Sequence, residues 1–331
     1  MKKNKMIATF AALALTLSLT SCDRSQVQEQ STQDGKISVA VVQQMDHPSL
    51  DEIRQAVNDR LEERGEELGL EIEIRNFNGN GDANQLDQIG ARIVSENCDL
   101  VIPIASLAAQ RMVNATQEHK IPVVCAAVSD PETSGLVGME GVTGTSDALN
   151  TAFLLDMMLA QNPELKTVGL LYCPSEDSST KPIQEAKAYL EKKGIPYEER
   201  TGTNPNEVLA AAASLAERVD AIFTPTDNTV AMVELTIAET FIEKGVPHYT
   251  GADSFVRNGA FATCGVNYTE LGKQTADMAL EVLESGEFPD FQVMDGGIIT
   301  VNTDTAAGLG LDYSVFQTMA GTVQEVTTTE D

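Results

Sequence analysis

The chain has 331 residues, of which 42% are hydrophobic and 22% are charged. This is enough to build the cores of about two domains and too apolar for wholesale disorder. Its 50 acidic and 22 basic side chains give a formal charge of −28, which argues against nucleic-acid binding, because that affinity comes from cations that neutralise phosphates. With no Trp and only 5% aromatic residues, stacking platforms for single strands are not expected either.

Residues 1–21 have the pattern of a signal peptide. Three Lys precede an apolar run, Met6–Leu19, that is too short to span a bilayer comfortably. The run ends in Leu19-Thr20-Ser21-Cys22, which resembles a bacterial lipobox, where the Cys is acylated and becomes the new N-terminus. We therefore predict a protein tied to the outside of a cell membrane by lipid on Cys22, with 22–35 as a polar tether. An ordinary secretory signal that happens to contain a Cys is the alternative.

The remaining cysteines show no metal-binding pattern. They form no CxxC motif and have no His at ligand spacing; they are Cys98, Cys125, Cys173 and Cys264. We predict buried free thiols, no metal site and no cofactor. The sequence leaves open whether any of these cysteines pair.

From Lys36 onward, short β-branched runs alternate with longer helical stretches. The first series predicts strands at Ile37–Val42, Leu70–Phe77, Asp99–Ile104 and Ile121–Ala127, and helices at Leu50–Leu68, Leu86–Ser95 and Leu107–Glu118. The second predicts strands at Lys166–Tyr172, Tyr197–Arg200, Asp220–Thr224 and Val246–Gly251, and helices at Pro182–Lys193, Asn206–Ala216 and Thr229–Glu243. Such alternation indicates α/β architecture, with parallel sheets covered by helices on both faces.

The two series also match each other in sequence. Asp99–Ser106 is similar to Asp220–Asp227, and the segments that begin at Lys36 and Lys120 are similar to those that begin at Lys166 and Gly245. Because the matches occur in the same order at similar separations, we predict two doubly wound parallel-sheet lobes of one design joined by a hinge. Chance similarity among α/β units is the alternative.

Ligands of open parallel sheets lie beyond the carboxyl ends of the strands. In the first series these ends carry Gln44–Pro48, Asn76–Asn78, Ala105-Ser106 and Ser129–Pro131; in the second they carry Pro174–Ser179, Thr203-Asn204, Thr226–Asn228 and Ala252-Asp253. The candidate ligand-binding residues on them are His47, Phe77, Ser106, Asp130, Glu176, Ser178, Asp227, Asn228 and Asp253.

Two of these residues have complementary chemistry at equivalent places in the two series. Ser106 is predicted at a helix N-terminus, whose free N–H groups suit a carboxylate. Asp227, at the equivalent place in the second series, can meet an ammonium group. Both residue types are also favoured helix N-caps, and simple capping is the alternative.

Enzyme signatures are missing from the sequence. It has no GxGxxG after a strand, no GxxxxGK[ST] and no GxSxG. Of the three His, only His47 falls in a predicted cleft loop; His119 is predicted to be solvated and His248 to lie in the core. This does not make a catalytic set, so we predict a binding protein and no enzyme. A secreted α/β hydrolase that uses His47 and Asp130 is the rival from another class.

Several motifs together carry a family resemblance. They are Asp46-His-Pro-Ser-Leu-Asp51, Asp99-Leu-Val-Ile-Pro-Ile-Ala105, Ala127-Val-Ser-Asp-Pro131, Gly144-Thr-Ser-Asp147, Pro174-Ser-Glu-Asp-Ser178, Asp220-Ala-Ile-Phe-Thr-Pro-Thr-Asp-Asn-Thr229 and Gly272-Lys-Gln-Thr-Ala276. This combination, over about 36–310, resembles the lipid-anchored substrate-binding proteins of ABC importers that bind aromatic amino acids. The chain departs from that family at Ser106, where Thr is frequent, and at Asp177–Ser179, where Ala-Asn-Ser is frequent.

The resemblance implies a type I periplasmic-binding-protein fold whose two lobes close on a ligand. The implied ligand is an amino acid such as Trp, Tyr or Phe, with a nucleoside or a sugar as the alternative. The implied partners are a membrane permease and a cytoplasmic ATPase.

The same resemblance implies three crossings between the lobes. We place them near Gly144–Asp147, Gly251–Ser254 and Gly286–Asp290. Lobe one is then predicted at 36–145 plus about 253–287, lobe two at 146–252 plus about 288–320, and an acidic tail at 321–331.

Overall fold

The computed structural model describes residues 36–320 and 323–329. The predicted signal peptide, Cys22 and the tether lie outside the described residues. Within the described part, no helix combines the length and the apolar character that a membrane span needs.

The described elements follow one another in an α/β order. The strands are β1 (Lys36–Gln43), β2 (Glu71–Asn78), β3 (Leu100–Ile104), β4 (Val123–Cys125), β5 (Val142–Ser146), β6 (Val168–Tyr172), β7 (Tyr197–Thr201), β8 (Ala221–Thr224), β9 (His248–Thr250), β10 (Ala262–Gly265), β11 (Gln292–Val293), β12 (Ile298–Asn302) and β13 (Val323–Val326). The helices are α1 (Pro48–Leu68), α2 (Ala83–Ser95), α3 (Ser106–Thr116), α4 (Thr151–Gln161), α5 (Asp177–Lys193), α6 (Pro205–Ala216), α7 (Asn228–Ala231), α8 (Glu234–Lys244), α9 (Asp253–Arg257), α10 (Tyr268–Ser285) and α11 (Thr303–Leu309).

Lobe one is built on a six-stranded sheet in the order β11-β5-β4-β3-β1-β2, in which all neighbouring strands are parallel. Strand β1 shows why its apolar run is continuous. Val39 and Val41 pack towards α1 and α10, whereas Ala40 and Val42 pack towards α2 and α3. Both faces of the sheet are therefore covered by helices, as the sequence predicts.

Lobe two is built on a seven-stranded sheet in the order β13-β12-β10-β9-β8-β6-β7. Its strands are parallel except where β10 meets β12, which run antiparallel. The sheet is therefore mixed rather than wholly parallel. Helices α4 to α9 and α11 belong to this lobe.

The prediction of two lobes of one design is confirmed by their topology. The order β2-β1-β3-β4-β5 in lobe one corresponds to β7-β6-β8-β9-β10 in lobe two. The matched aspartates have matched contacts, since Asp99 accepts from the backbone N–H of Ser38 and Asp220 accepts from that of Thr167, both at 2.8 Å. Helices α1 and α5 correspond in the same way, and each ends at a left-handed glycine, Gly69 or Gly194.

Strand pairing moves two of the predicted lobe boundaries. The sequence predicts segment 253–287 in lobe one. Strand β10, which is part of this segment, instead pairs with β9 and β12 in lobe two, so the second crossing lies at 266–267 rather than near 251–254. Strand β11 pairs with β5 in lobe one, which moves the third crossing from 286–290 to 294–297. The predicted acidic tail contains β13, which extends the lobe-two sheet beside β12. Glycine and charge patterns gave no information about these pairings.

The predicted helix Thr229–Glu243 is interrupted. The structure divides it into α7 and α8, because Val233 leaves helical geometry at ψ 11°. Glu234 then starts α8, where the helix dipole favours a carboxylate, and its buried side chain lies 2.9 Å from Nδ1 of His248. His248 is buried in β9 and His119 is exposed, so both histidine predictions are confirmed.

The four cysteines in the described residues are buried and unpaired, as predicted: Cys98, Cys125, Cys173 and Cys264.

Candidate functional site

A cleft between the lobes collects the carboxyl ends of several strands around a cavity of about 30 Å³. Lobe one contributes His47, Ser49, Leu50, Ala105, Ser106, Ala127, Ser129 and Tyr268; lobe two contributes Ser178, Thr226, Asp227, Asn228, Ala252 and Phe255; Asp147 comes from the first crossing. This lining has two carboxyl groups and no Lys or Arg, so it favours a ligand that carries positive charge.

The lobe-one wall of the cleft is formed where β3 and β4 end. Ala105 and Ala127 have positive φ angles of 77° and 53°, a conformation that costs a non-glycine residue about 1 kcal/mol or more. Ser106 follows as the first residue of α3 and is 6% exposed. Its hydroxyl is buried without a hydrogen-bond partner in the described residues. A polar group in this state is the kind of group that a ligand satisfies.

Ser178 occupies a similar place on lobe two. It lies in the first turn of α5, is 6% exposed, and its hydroxyl also lacks a partner in the described part of the chain. Thus two helix N-termini, one from each lobe, bring a free hydroxyl to the same cleft. Helix N-termini attract anions through their free N–H groups and the helix dipole.

Both carboxylate oxygens of Asp227 already accept hydrogen bonds from groups of lobe two. One oxygen accepts from the backbone N–H of Cys173 and the hydroxyl of Ser179, both at 2.7 Å, and the other accepts from the N–H of Val230 at 3.0 Å. The side chain caps α7 and is 0% exposed. Burial raises the pKa of this carboxyl, while the N–H and hydroxyl donors oppose that rise. Its assignment as the ammonium partner stays a prediction, since the cap of α7 and the contacts with Cys173 and Ser179 already occupy this carboxylate within lobe two.

Asp147 has a different environment in the same cleft. Its two oxygens accept from the hydroxyl groups of Ser129 at 2.8 Å and Tyr268 at 3.1 Å, and its own backbone N–H also interacts with the carboxyl. It is 7% exposed, and burial raises its pKa. Its carboxylate therefore lacks a cationic partner in the described residues. A cationic partner would strongly stabilise an ionised group in such a buried position.

A chain of hydrogen bonds crosses the cleft from His47 to Glu176. Nε2 of His47 lies 2.8 Å from Oδ1 of Asn228, and Nδ2 of Asn228 donates to Glu176 at 2.9 Å. Burial lowers the pKa of His47 and, together with the nearby charge of Asp227, raises the pKa of Glu176 to about 7. His47 and Glu176 are the N-cap residues of the corresponding helices α1 and α5.

Further contacts join the two lobes around the cleft. The hydroxyls of Ser49 and Ser254 lie 2.5 Å apart, Gln110 donates to Asp177 at 2.8 Å, and Arg257 pairs with Glu52 at 3.0 Å. The two lobes are therefore in contact, with the cleft enclosed between them.

Comparison with known proteins identifies the family. The family model described as ABC transporter substrate binding protein matches residues 38–316. The chain belongs to this family. Its members work outside the cytoplasm, where they bind small-molecule ligands and act together with ABC transporter components.

The substrate-binding protein has relatives of similar length. It is 30% identical over 324 residues to a tyrosine-binding protein of Clostridioides difficile (strain R20291), covering 94% of this chain and 93% of that one. It also matches the structure of an ABC domain from Streptococcus pneumoniae in complex with L-Trp, with 31% identity, a TM-score of 0.80 and coverage of 87% and 99%.

A third relative shows the open arrangement of the lobes. The ligand-free, open structure of a substrate-binding protein with adhesive properties from Clostridium difficile matches with 30% identity over 88% of this chain and 100% of that one, but with a TM-score of only 0.68. Identity and coverage are nearly the same as for the L-Trp complex, yet the TM-score is lower by 0.12. The lobes of this substrate-binding protein are therefore arranged more as in the ligand-bound relative.

More distant structures share the fold alone. A leucine-binding protein of Thermotoga maritima matches with 16% identity and a TM-score of 0.58, over 76% of this chain and 84% of that one. The predicted α/β fold with two sheet lobes of the type I periplasmic-binding-protein kind is confirmed.

Five of the nine predicted ligand-binding residues line the cleft of the substrate-binding protein: His47, Ser106, Ser178, Asp227 and Asn228. Glu176 lies behind this wall and holds Asn228. Asp130 lies at the edge of the cleft, where it accepts from Thr133 and comes within 3.6 Å of Lys181.

Two predicted residues lie away from the cleft lining. Phe77 is the penultimate residue of β2, the edge strand of its sheet, and packs under Arg92, whose guanidinium carbon is 5.2 Å from the ring centre. The edge position removes it from the switch point between β1 and β3, where ligands of such sheets bind. Asp253 pairs with Arg257 at 2.5 Å and lines a separate cavity near the second crossing.

Asp147, Ser129, Thr226 and Tyr268 line the cleft but are absent from the predicted set. For Asp147 a signal was present, because it directly follows a strand and ends one of the motifs that carry the family resemblance. The rival hydrolase also finds no support in the contacts: among the described hydrogen bonds, none joins His47 to Asp130.

Proposed function

We propose that this substrate-binding protein captures an α-amino acid with an apolar or aromatic side chain and presents it to an ABC importer. The observation that carries the proposal is the pairing of a buried carboxylate without a cation, Asp147, with two unpartnered hydroxyls at helix N-termini, Ser106 and Ser178. A zwitterion needs opposite charges recognised close together, and the cleft contains groups of both kinds.

The carboxylate of the ligand is assigned to Ser106 and Ser178. Their hydroxyls can donate, and the first turns of α3 and α5 add the positive ends of two helix dipoles. Since the two residues come from opposite lobes, one carboxylate that binds both favours the closed state over the open one.

The ammonium is assigned to Asp147. Asp227, the sequence-based choice, already accepts from three protein donors, whereas Asp147 accepts from two hydroxyls and has no positive partner among the described residues. A charge-assisted hydrogen bond from an ammonium compensates the burial that raises the pKa of Asp147.

The side chain of the ligand is assigned to the apolar part of the lining. Leu50, Phe255 and the methyl groups of Ala105, Ala127 and Ala252 provide this surface. The named ligands of the relatives, tyrosine and L-Trp, support an aromatic side chain.

Thermal-shift measurements test the proposal. The purified protein is screened against amino acids, nucleosides and sugars, because a solute that binds only the folded state raises Tm. We expect the largest rise with Tyr, Trp or Phe, and little rise with their N-acetyl or decarboxylated analogues. A rise with a nucleoside or a sugar alone would assign the cleft to that class, and turnover of an ester or amide panel would favour the hydrolase.

We further propose that the protein is a lipoprotein held by Cys22 and that a permease and an ATPase receive its ligand. The lipobox pattern before Cys22 supports the anchor, and the family supports the partners. Cys22→Ala is expected to leave folding unchanged and to release the protein from membranes. Full membrane retention of that variant in high salt would exclude the anchor.

A further inference from the structure

The hydrogen-bond chain from Glu176 to His47 has a defined direction. Both oxygens of Glu176 accept, from Nδ2 of Asn228 at 2.9 Å and from the hydroxyl of Thr229 at 3.2 Å. While Glu176 is ionised it can only accept, so the amide nitrogen of Asn228 is used in this way and the amide oxygen faces His47 as an acceptor. The proton of the His47 ring is therefore on Nε2.

The other ring nitrogen of His47 is then an acceptor without a donor. Burial lowers the pKa of His47, so the ring is neutral near pH 7 and Nδ1 has a free lone pair. Nδ1 is buried and has no hydrogen-bond partner in the described residues, and the side chain makes no capping bond to α1. His47 is 8% exposed and lines the cleft. A buried acceptor without a donor destabilises the state that contains it.

We infer that Nδ1 of His47 accepts a hydrogen bond from an N–H or O–H group of the bound solute, and that Glu176, acting through Asn228, is the positioning residue that fixes this tautomer. The identity of the solute rests on the proposed function, whereas the tautomer rests on the contacts alone. An amino acid offers two such donors: its ammonium group and, in Tyr or Trp, the side-chain O–H or N–H. A solute that presents only an acceptor at this point is disfavoured.

The tautomer can be measured without any ligand. The chain has three His, so ¹⁵N NMR of the imidazole nitrogens gives few signals, and the spectrum of His47→Phe assigns those of His47. At about pH 8, above the raised pKa of Glu176, we expect the proton on Nε2 and a bare Nδ1. A proton on Nδ1 in the free protein would overturn the inference.

Glu176→Gln tests the positioning role. A Gln amide can offer either its oxygen or its nitrogen to Asn228, so the chain loses its fixed direction. We expect signals of both His47 tautomers in this variant, a change that loss of a merely structural contact would not produce. A single Nε2 tautomer in Glu176→Gln would remove the role assigned to Glu176.

Binding measurements test the contact to the solute. His47→Phe keeps an aromatic ring but removes the acceptor, and we expect affinity to fall about five- to tenfold, the effect of one neutral hydrogen bond, or more if the donor is the ammonium. His119→Phe is the matched control, because His119 is exposed away from the cleft, and it should bind as the parent does.

Comparison of Tyr with Phe identifies the donor. If His47→Phe weakens both amino acids equally, the donor is the ammonium; if it weakens Tyr alone, the donor is the phenol. Unchanged affinity for every amino acid that the parent binds would overturn the inference. If the parent binds no amino acid, the proposed function fails, and the NMR result still decides the tautomer.

Discussion

The two lobes share a topology but use equivalent positions differently. Ser106 follows β3 and Asp227 follows β8, the corresponding strand of the other lobe. The hydroxyl of Ser106 has no partner in the described structure, whereas the carboxylate of Asp227 accepts from three donors of its own lobe. A polar residue at the end of a strand can thus be left free for a ligand in one lobe, while the equivalent residue stabilises the fold of the other lobe.

The difference arises from the neighbouring backbone. In lobe two, the loop after β8 lies very close to the end of β9, since a Cβ atom on Gly251 would lie 2.6 Å from the backbone nitrogen of Thr226. This close approach needs glycine and holds the loop against the sheet, where Asp227 reaches Cys173 and Ser179. Ser106 has no comparable set of donors around it.

The largest expected effect is on stability, through Asp227→Ala. The substitution leaves the donors of Cys173, Ser179 and Val230 without their acceptor. At about 1–3 kcal/mol for each unsatisfied buried group, the free energy of unfolding should fall by about 3 kcal/mol or more. Urea denaturation followed by circular dichroism measures this.

Asp227→Asn separates capping from ligand recognition. The amide keeps one acceptor, so this variant should lose less stability than Asp227→Ala and retain amino-acid affinity. A selective loss of affinity for the free amino acid over its N-acetyl analogue would instead restore Asp227 as the ammonium partner.

The next effect is on affinity, through Asp147→Asn. Loss of a charge-assisted hydrogen bond to the ammonium should weaken amino-acid binding by about ten- to a hundredfold. Stability should be equal or higher near pH 8, because a buried carboxylate without a cationic partner in the described residues is replaced by a neutral amide. Calorimetric titration and thermal melting measure the two quantities. Undiminished affinity would contradict the assignment of the ammonium.

Ser106→Ala should give a smaller loss of affinity, about fivefold, with stability within about 0.5 kcal/mol of the parent. The hydroxyl has no partner in the described part of the chain to lose. Ser178→Ala is the matched variant from lobe two, and similar losses in both would indicate a carboxylate shared between the lobes. An effect of Ser106→Ala on stability alone would make it a structural residue like Asp227.

A separate effect is a change in the pH dependence of stability through Glu176→Gln. The pKa of Glu176 is raised to about 7 in the folded protein by burial and by nearby Asp227. The folded state therefore binds a proton more tightly than the unfolded state, and stability falls as pH rises from about 4.5 to about 7.

In Glu176→Gln the free energy of unfolding should change less with pH, by the equivalent of up to one bound proton. The variant should therefore gain most stability relative to the parent above pH 7. Melting curves from pH 5 to pH 8 measure the slope. Parallel curves for the two proteins would show that Glu176 does not titrate in this range.

The sequence predicted the repeated architecture because its determinants are local. The buried runs of β1 and β6, the aspartates before β3 and β8 and the glycines after α1 and α5 are all visible in the linear pattern. Sheet membership is not local. Strand β10 was placed in the wrong lobe because only its pairing with β9 and β12 shows where it belongs.

The site was predicted in part for the same reason. Strand ends pointed to His47, Ser106 and Asn228, which line the cleft. The prediction includes Phe77 wrongly because β2 lies at the edge of its sheet. That position depends on the order of strands in space, which the sequence does not show. The prediction omits Asp147 although it ends a motif, because the sequence does not show that the distant Ser129 and Tyr268 place their hydroxyl groups against it.

The buried thiols bear on how the chain reaches its native state outside the cytoplasm. An unfolded chain with four accessible cysteines can form incorrect disulfides in an oxidising compartment. Burial raises the pKa of Cys98, Cys125 and Cys264 in the folded protein, which suppresses the reactive thiolates. Folding thus removes these sulfurs from redox chemistry, so the native state needs neither an oxidant nor a disulfide isomerase, and rapid folding itself protects the thiols.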